Sequence, residues 1–448
     1  VAAQGTTFPQ GFVWGVAASA YQIEGAAKDD GRGESIWDRF SRTPGKTQGG
    51  DTGDVACDHY HRYREDVALM RDLGVRAYRF SLAWPRVIPL GTGKVNDRGV
   101  DFYRRLVDEL LASGIEPWAC LYHWDLPQAC QDKGGWANPE VVRWFADYAA
   151  AVGRALGDRV KRWVVLNEPR CIAWLGHLTG EHAPGLTDRE LAVKVSRHLL
   201  LAQGQAVHAL REVCPGASVG TVLDLNAVHP LTSSPEDRAA GERWDQFWNR
   251  WFLDPLLKGE IPPLAREAGL TATSAELKVI RAPVDFLGIN YYSRALLAHD
   301  PSAPPLYARW PDKKTPVTEM GWEIYPRGLY EVLTRIQRDY GNPEMYVTEN
   351  GAAFSDIVVR DGAIQDDDRI AYLRDHVAAV HRAIRDGARV KGYFVWSILD
   401  NFEWAWGYGR RFGIVHVDFR TLKRTPKASY RWYKEVIAHN GPASLDLV

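Results

Sequence analysis

The chain of 448 residues carries 55 basic and 56 acidic side chains and is 46% hydrophobic. With the two signs balanced, no net field recruits nucleic acid or an anionic membrane, and the expected partner is a neutral small molecule. Five cysteines (Cys57, Cys120, Cys130, Cys171, Cys214) form no CxxC pair and are odd in number, so neither a disulfide framework nor a zinc site is expected; they read as reduced thiols of a cytoplasmic protein.

The opening VAAQGTTFPQ lacks a basic stretch followed by an apolar run, and no segment offers about eighteen uninterrupted apolar residues, so neither an export signal nor a membrane span is expected. Strands are predicted in chain order at 12–19 (FVWGVAAS), 76–83 (RAYRFSLA), 116–123 (EPWACLYH), 162–167 (RWVVLN), 217–224 (ASVGTVLD), 284–290 (VDFLGIN), 344–349 (EMYVTE) and 391–398 (KGYFVWSI). Between them lie stretches with apolar residues every third or fourth position, such as 60–74 and 97–114, each closed by a glycine. Eight such strand and helix units predict an α/β fold, one (β/α)8 or TIM barrel over residues 1–448, whose excess over about 250 residues sits in long loops. Two loops stand out, 28–57 and the proline-rich 293–326; both follow strands and so belong to the face that carries function.

In such a barrel the C-terminal ends of the strands converge on one pocket. The polar residues there are Gln22 and Glu24 after strand one, Arg79 on strand two, His123 ending strand three, and Asn167 and Glu168 ending strand four. Asn290 and Tyr292 follow on strand six, Glu349 and Asn350 on strand seven, and Trp396 to Asp400 and Asn401 on strand eight. Glu168 ends an apolar run, where an unpaired buried carboxylate costs several kcal/mol, so it must be paired, near water, or working. Glu168 and Glu349 face each other across the ring, and paired carboxylates flanking a bond are the machinery of glycoside hydrolysis. The 18 tryptophans supply indole faces that suit the C–H faces of sugars as well as the core. No phosphate loop, metal motif or cofactor signature competes; His59 and His61 begin a predicted helix and read as helix-face or cap residues.

Six stretches carry a family resemblance: LNEP (166–169), YVTENG (346–351), FVWGVAASAYQIEG (12–25), HWDLPQ (123–128), GINYY (288–292) and YFVWSILDNFEW (393–404). Together, over residues 8 to about 435, they resemble the family 1 glycoside hydrolases, the β-glucosidase family. The resemblance implies that Glu168 is the general acid/base and Glu349 the nucleophile of a retaining β-glucosidase, with Arg79 and Tyr292 beside Glu349. It further implies Gln22, His123, Asn167, Asn290, Glu403 and Trp404 around the sugar hydroxyls, Trp396 as stacking floor, and Trp322 toward the leaving group. A retaining pair stands about 5–5.5 Å apart, where two charges repel by about 3 kcal/mol at an effective dielectric near 20. The expectation is that Glu349 holds its charge and thereby keeps Glu168 protonated.

Members acting on 6-phosphorylated sugars are expected to lack the Glu403–Trp404 pair, so an unphosphorylated terminal glucoside is the expected substrate. Where the family commonly has an aromatic residue after Asn-Glu-Pro, this chain has Arg170 and then Cys171. That departure bears on leaving-group preference and is expected to leave the catalytic pair untouched; Trp174 nearby reads as packing. Two rivals stay open at this level: a transglycosylase using the same covalent intermediate, and a sugar-binding protein without catalysis.

Overall fold

Strands covered on both faces read as near-continuous apolar runs, and the strands obey this: AYRFS and FLGIN are buried at every position. The computed structural model describes residues 6–311, 315–358 and 362–444; positions 312–314 of the expected proline-rich loop lie outside the described residues. The barrel strands are β1 Val13–Ala17, β2 Ala77–Ser81, β3 Glu116–Tyr122, β4 Arg162–Asn167, β5 Ser218–Asp224, β6 Phe286–Asn290, β7 Met345–Asn350 and β8 Val390–Trp396. All pair in parallel with their chain neighbours, and β8 closes on β1 from Val13 opposite Gly392 to Ala17 opposite Trp396. All eight predicted strands exist, with bounds shifted by no more than two residues.

Outside the ring pack α1 His59–Leu73, α2 Asp97–Ala112, α3 Val141–Leu156, α4 Pro169–His177, α5 Arg189–Val213, α6 Pro326–Asp339, α7 Asp367–Arg385 and α8 Ala428–Ala438. No helix among the described residues is long and apolar enough to cross a membrane. Among the described residues three separate apolar masses occur: one between helices and strands, one inside the ring, and a small one of Trp244, Ala295 and Leu297. In the ring, Trp118 meets Phe286, Tyr346 and Phe394 at centroid distances of 5.3, 4.8 and 5.0 Å. Such large rings fit because small residues face them: a Cβ on Gly220 would come within 2.4 Å of the Phe286 ring.

The two long loops contain more order than the sequence pattern suggests. Residues 28–57 include a helix, Ile36–Arg42, capped by Ser35 and Asp38 in reciprocal hydrogen bonds. Residues 293–326 contribute Ala295–His299 and Ala308–Arg309, which with Val228–Pro230 form a three-stranded sheet beside the barrel mouth. Two of these strands have only two or three residues and depend on Ala295–His299 between them for their existence, so periodicity cannot reveal them.

Candidate active site

The ends of β4, β6 and β7 bring Glu168, Asn290 and Glu349 to a cavity of about 570 Å³, which all three line. Glu168 stands at the hinge between β4 and α4, in the left-handed region at φ 49° and ψ 66°. A non-glycine residue held there costs about 1–3 kcal/mol, and such strain clusters at functional sites. Pro169 then takes the first helical position, where its missing N–H is not needed. Trp124 and Trp404, two aromatic walls of the same cavity, also have positive φ, 80° and 50°.

A continuous hydrogen-bond network joins the carboxylates. Arg79 donates to Glu349 Oε1 at 2.6 Å and Tyr292 donates its hydroxyl to Glu349 Oε2 at 2.7 Å. Arg79 also donates to Asn167 Oδ1 at 2.5 Å, and Asn290 Nδ2 donates both to that oxygen at 3.1 Å and to Glu168 Oε1 at 2.7 Å. Because Asn167 Oδ1 accepts from two obligate donors, its Nδ2 must point at His123 Nε2, 3.2 Å away. A neutral His123 then carries its proton on Nδ1, free to meet a ligand. Burial and the Arg79 charge hold His123 well below the usual imidazole range, which keeps it neutral.

Both carboxylates are buried, 5% and 3% exposed, but their surroundings differ. Burial raises Glu349, and the Arg79 ion pair with the Tyr292 hydrogen bond pulls it back down. Glu168 is pushed well above the ordinary range by burial, then by the charges of Asp224 and Glu349, against the weaker pull of Asn290 and Arg170. Glu349 remains raised overall but less than Glu168, and is therefore the first of the two to ionise. One buried acid that keeps its proton beside a second held ionised by a guanidinium is an arrangement suited to acid-assisted displacement.

His123, Trp322, Trp396, Glu403 and Trp404 line the same cavity with Tyr292. Gln22, fully buried, lies behind Glu403 and donates to Asn401 Oδ1 and the Phe402 carbonyl at 3.1 and 2.9 Å. Trp322 packs on Tyr292 and Phe412 at 5.2 and 6.1 Å. Four strand-end residues do not converge on the pocket as expected. Glu24 pairs with Arg86 and Tyr103, and Asn350 bonds the Tyr291 carbonyl, Tyr372 and Tyr393. Asp400 pairs with Lys427 and Arg411, and Asn401 holds Ser397 and Gln22. Glu24, Asp400 and Asn401 lie beyond their strand ends, and Asn350, the last residue of β7, is taken up by Tyr291, Tyr372 and Tyr393, so all four side chains are spent on packing. Trp174 stacks on Phe247 at 5.1 Å as packing. His59 bonds buried Asp66, while His61 meets Asp58 and Asp29 at the surface.

The sequence pattern missed Trp124, Asp224, Trp248, Trp310, Trp406 and Phe412, all of which line the cavity. Asp224 was findable, since it is the last residue of β5; Trp248 lies in a helical segment far from any strand end and carries no local signal. Arg170 donates through Nε to Asp224 at 2.6 Å, with its guanidinium 3.4 Å from the Trp248 ring centroid. Cys171 Sγ lies 3.3 Å from Glu168 Oε2, so the departure after Asn-Glu-Pro touches the catalytic candidate directly rather than the leaving-group side alone.

Two groups of potential metal donors occur among the described residues: Glu168, Cys171 and Asp224, and Asp356, Asp400 and His416. In the first Arg170 already lies on Asp224, and in the second Lys427 and Arg411 already neutralise the carboxylates. Protein cations thus fill the role a metal would have.

A model of glycosyl hydrolase family 1 matches residues 4–442. Beta-glucosidase A of Acetivibrio thermocellus is 49% identical over 443 residues, covering 97% of this chain and 99% of that protein. A solved family 1 b-glucosidase from Thermotoga maritima superposes with a TM-score of 0.95 at 47% identity, covering 98% of this chain and 100% of that one. A beta-glucosidase from the same organism in complex with glucoimidazole gives 0.95 at 48% identity, covering 97% and 99%. A closed eight-stranded barrel, a carboxylate pair at the ends of its fourth and seventh strands, and a match across nearly the whole length agree: the chain belongs to glycosyl hydrolase family 1.

Proposed function

We propose that the protein is a retaining β-glucosidase that releases terminal nonreducing β-D-glucosyl residues from unphosphorylated β-glucosides and short oligosaccharides, with one barrel unit carrying the whole site. The observation that carries this reading is the unequal carboxylate pair: Glu349 anchored by Arg79 and Tyr292, Glu168 held protonated in the same cavity. Glu168 donates its proton to the glycosidic oxygen as Glu349 attacks the anomeric carbon, and the bond to the leaving group breaks as the ester to Glu349 forms. The Glu349 charge is consumed in that ester, which removes one of the influences that kept Glu168 protonated. Glu168 then takes a proton from water, whose oxygen attacks the anomeric carbon and frees Glu349.

Asn167, Gln22, His123, Asn290, Glu403 and Trp404 are assigned to the sugar hydroxyls and Trp396 to the ring face; Trp322 stands toward the leaving group. The cavity cations Arg170 and Arg294 are each paired, with Asp224 and Glu323. Neither is a ready receptor for a sugar phosphate, which supports an unphosphorylated substrate. The names of the relatives support glucose as the sugar, and the five unpaired cysteines suit a cytoplasmic setting. A Glu349→Gly variant tests the assignment: hydrolysis of aryl β-glucosides should fall by more than about a thousandfold, and azide should restore turnover with a glycosyl azide of inverted configuration. Rescue with retained configuration would refute it.

A further inference from the structure

Glu168 is held by a second set of groups that the double-displacement scheme does not use. Cys171 is one turn along α4 from Glu168, and its Sγ lies 3.3 Å from Glu168 Oε2. Arg170 donates to that sulfur at 3.2 Å and is itself pinned by Asp224 through Nε at 2.6 Å and a terminal nitrogen at 2.5 Å. Donor atoms of Glu168, Cys171 and Asp224 all fall within 4.8 Å of one another. We propose that Arg170, Asp224 and Cys171 are positioning residues that orient the Glu168 carboxyl and set its proton affinity independently of Glu349. The inference rests on the reading of Glu168 as the acid/base.

Its physical content is a difference in timing. The Glu349 charge disappears when the ester forms, whereas the Asp224 carboxylate takes part in neither bond exchange; burial raises it, and the Arg170 ion pair pulls it back toward the charged form. Asp224 thus sets a standing level on which Glu349 switches Glu168 between acid and base. Burial and then Asp224, ahead of Glu349, raise Glu168, while Arg170 opposes them. The other charged or titratable groups facing it are Arg79 on β2, His123 at the end of β3, and Tyr292 and Arg294 after β6, with Glu181, His182 and Glu403 across the cavity.

The test is the pH dependence of kcat/KM on two substrates: cellobiose, whose leaving group needs a proton, and 2,4-dinitrophenyl β-glucoside, whose leaving group does not. Asp224→Asn removes a negative charge and leaves Arg170 facing Glu168, so the basic limb for cellobiose should move to lower pH by about one unit. The double variant Arg170→Gln/Asp224→Asn should move it part of the way back, since both charges are gone. Cys171→Ala should lose more activity on cellobiose than on the dinitrophenyl substrate, with Cys171→Ser restoring it. An unmoved limb in folded Asp224→Asn, with equal loss on both substrates, overturns the proposal. Should Asp224→Asn not fold, equal loss on both substrates in Cys171→Ala, without rescue by serine, overturns it instead. Glu168→Gln, run alongside, separates the two readings: native activity on cellobiose would remove Glu168 as the acid, whereas its loss beside a flat Asp224 response removes only the positioning set.

Discussion

Glu403 is a carboxylic acid placed where its charge is disfavoured. It is 8% exposed, and burial followed by the Glu349 charge pushes it up to about 8, against a hydrogen bond from Gln22. The unfolded chain ionises this group near about 4.3, so between that pH and about 8 the folded state retains a proton the unfolded state has released. Folding stability contributed by this group therefore falls as pH rises through that window, by about 1.4 kcal/mol per unit at most. Glu403→Gln should raise Tm by about 2–4 °C at pH 7, with the gain shrinking toward pH 4, while KM for glucosides rises. Calorimetry at several pH values checks it, and an equal gain at every pH would sink the explanation. Residues of this kind were legible where they end a strand or sit in a recognisable stretch, as Glu168, Glu349, Arg79 and Tyr292 do. Trp248 was not, because its importance lies in what Arg170 touches; Asp224 could be placed at the mouth as the last residue of β5, but its contact with Arg170 across 54 residues leaves no local trace.

The elements were readable because each strand is buried on both faces and each long helix on one, and those two demands leave different periods in the chain. What the periods could not show is how closely elements approach. Gly351, directly after Glu349 and Asn350, is such a place: a Cβ there would lie 1.8 Å from the Trp396 carbonyl oxygen at the end of β8. The glycine lets the turn after β7 lie against the strand that carries the proposed stacking floor. Gly351→Ala should therefore cost about 1–3 kcal/mol of stability and lower kcat as Trp396 is displaced. Thermal unfolding together with steady-state kinetics measures both, and a neutral result in either would show that the backbone can give way. The mouth sheet built from Ala295–His299 and its partners escaped the reading for the opposite reason, since its order comes from pairing and not from local pattern.

At the scale of the whole molecule, Asp400 shows why a strand-end polar residue need not serve the site. It is fully buried and bonds Lys427 at 2.9 Å and Arg411 at 2.7 Å, while Lys427 also reaches Asp356 at 2.8 Å. Lys427 is the residue immediately before α8, so these pairs tie the last helix to the segment leaving β8. The opposite end of α8 is tied to the start of the chain, where Asn440 donates to the Phe8 carbonyl at 2.7 Å and accepts from Trp14 at 3.0 Å. Lys427→Met would leave two buried carboxylates with less cation around them and should cost about 3–5 kcal/mol. The urea midpoint should fall accordingly, with kcat of the folded enzyme unchanged because Asp400 faces away from the cavity. A midpoint within error of the native one would mean that Arg411 on Asp400 and Arg369, 3.7 Å from Asp356, suffice.

The sequence by itself determined the barrel and the two carboxylates at its mouth, because strand burial, helix amphipathicity and residue order at strand ends are properties of neighbouring positions. Only the tertiary structure decided which polar strand-end residues enter the cavity and which are spent on closing the barrel. It alone put Asp224 and Arg170 beside Glu168, and so decided how far that carboxyl is pushed from its ordinary value. Proton affinity depends on burial and on charges a few ångströms away through space, and the chain brings those together from segments that share no local pattern.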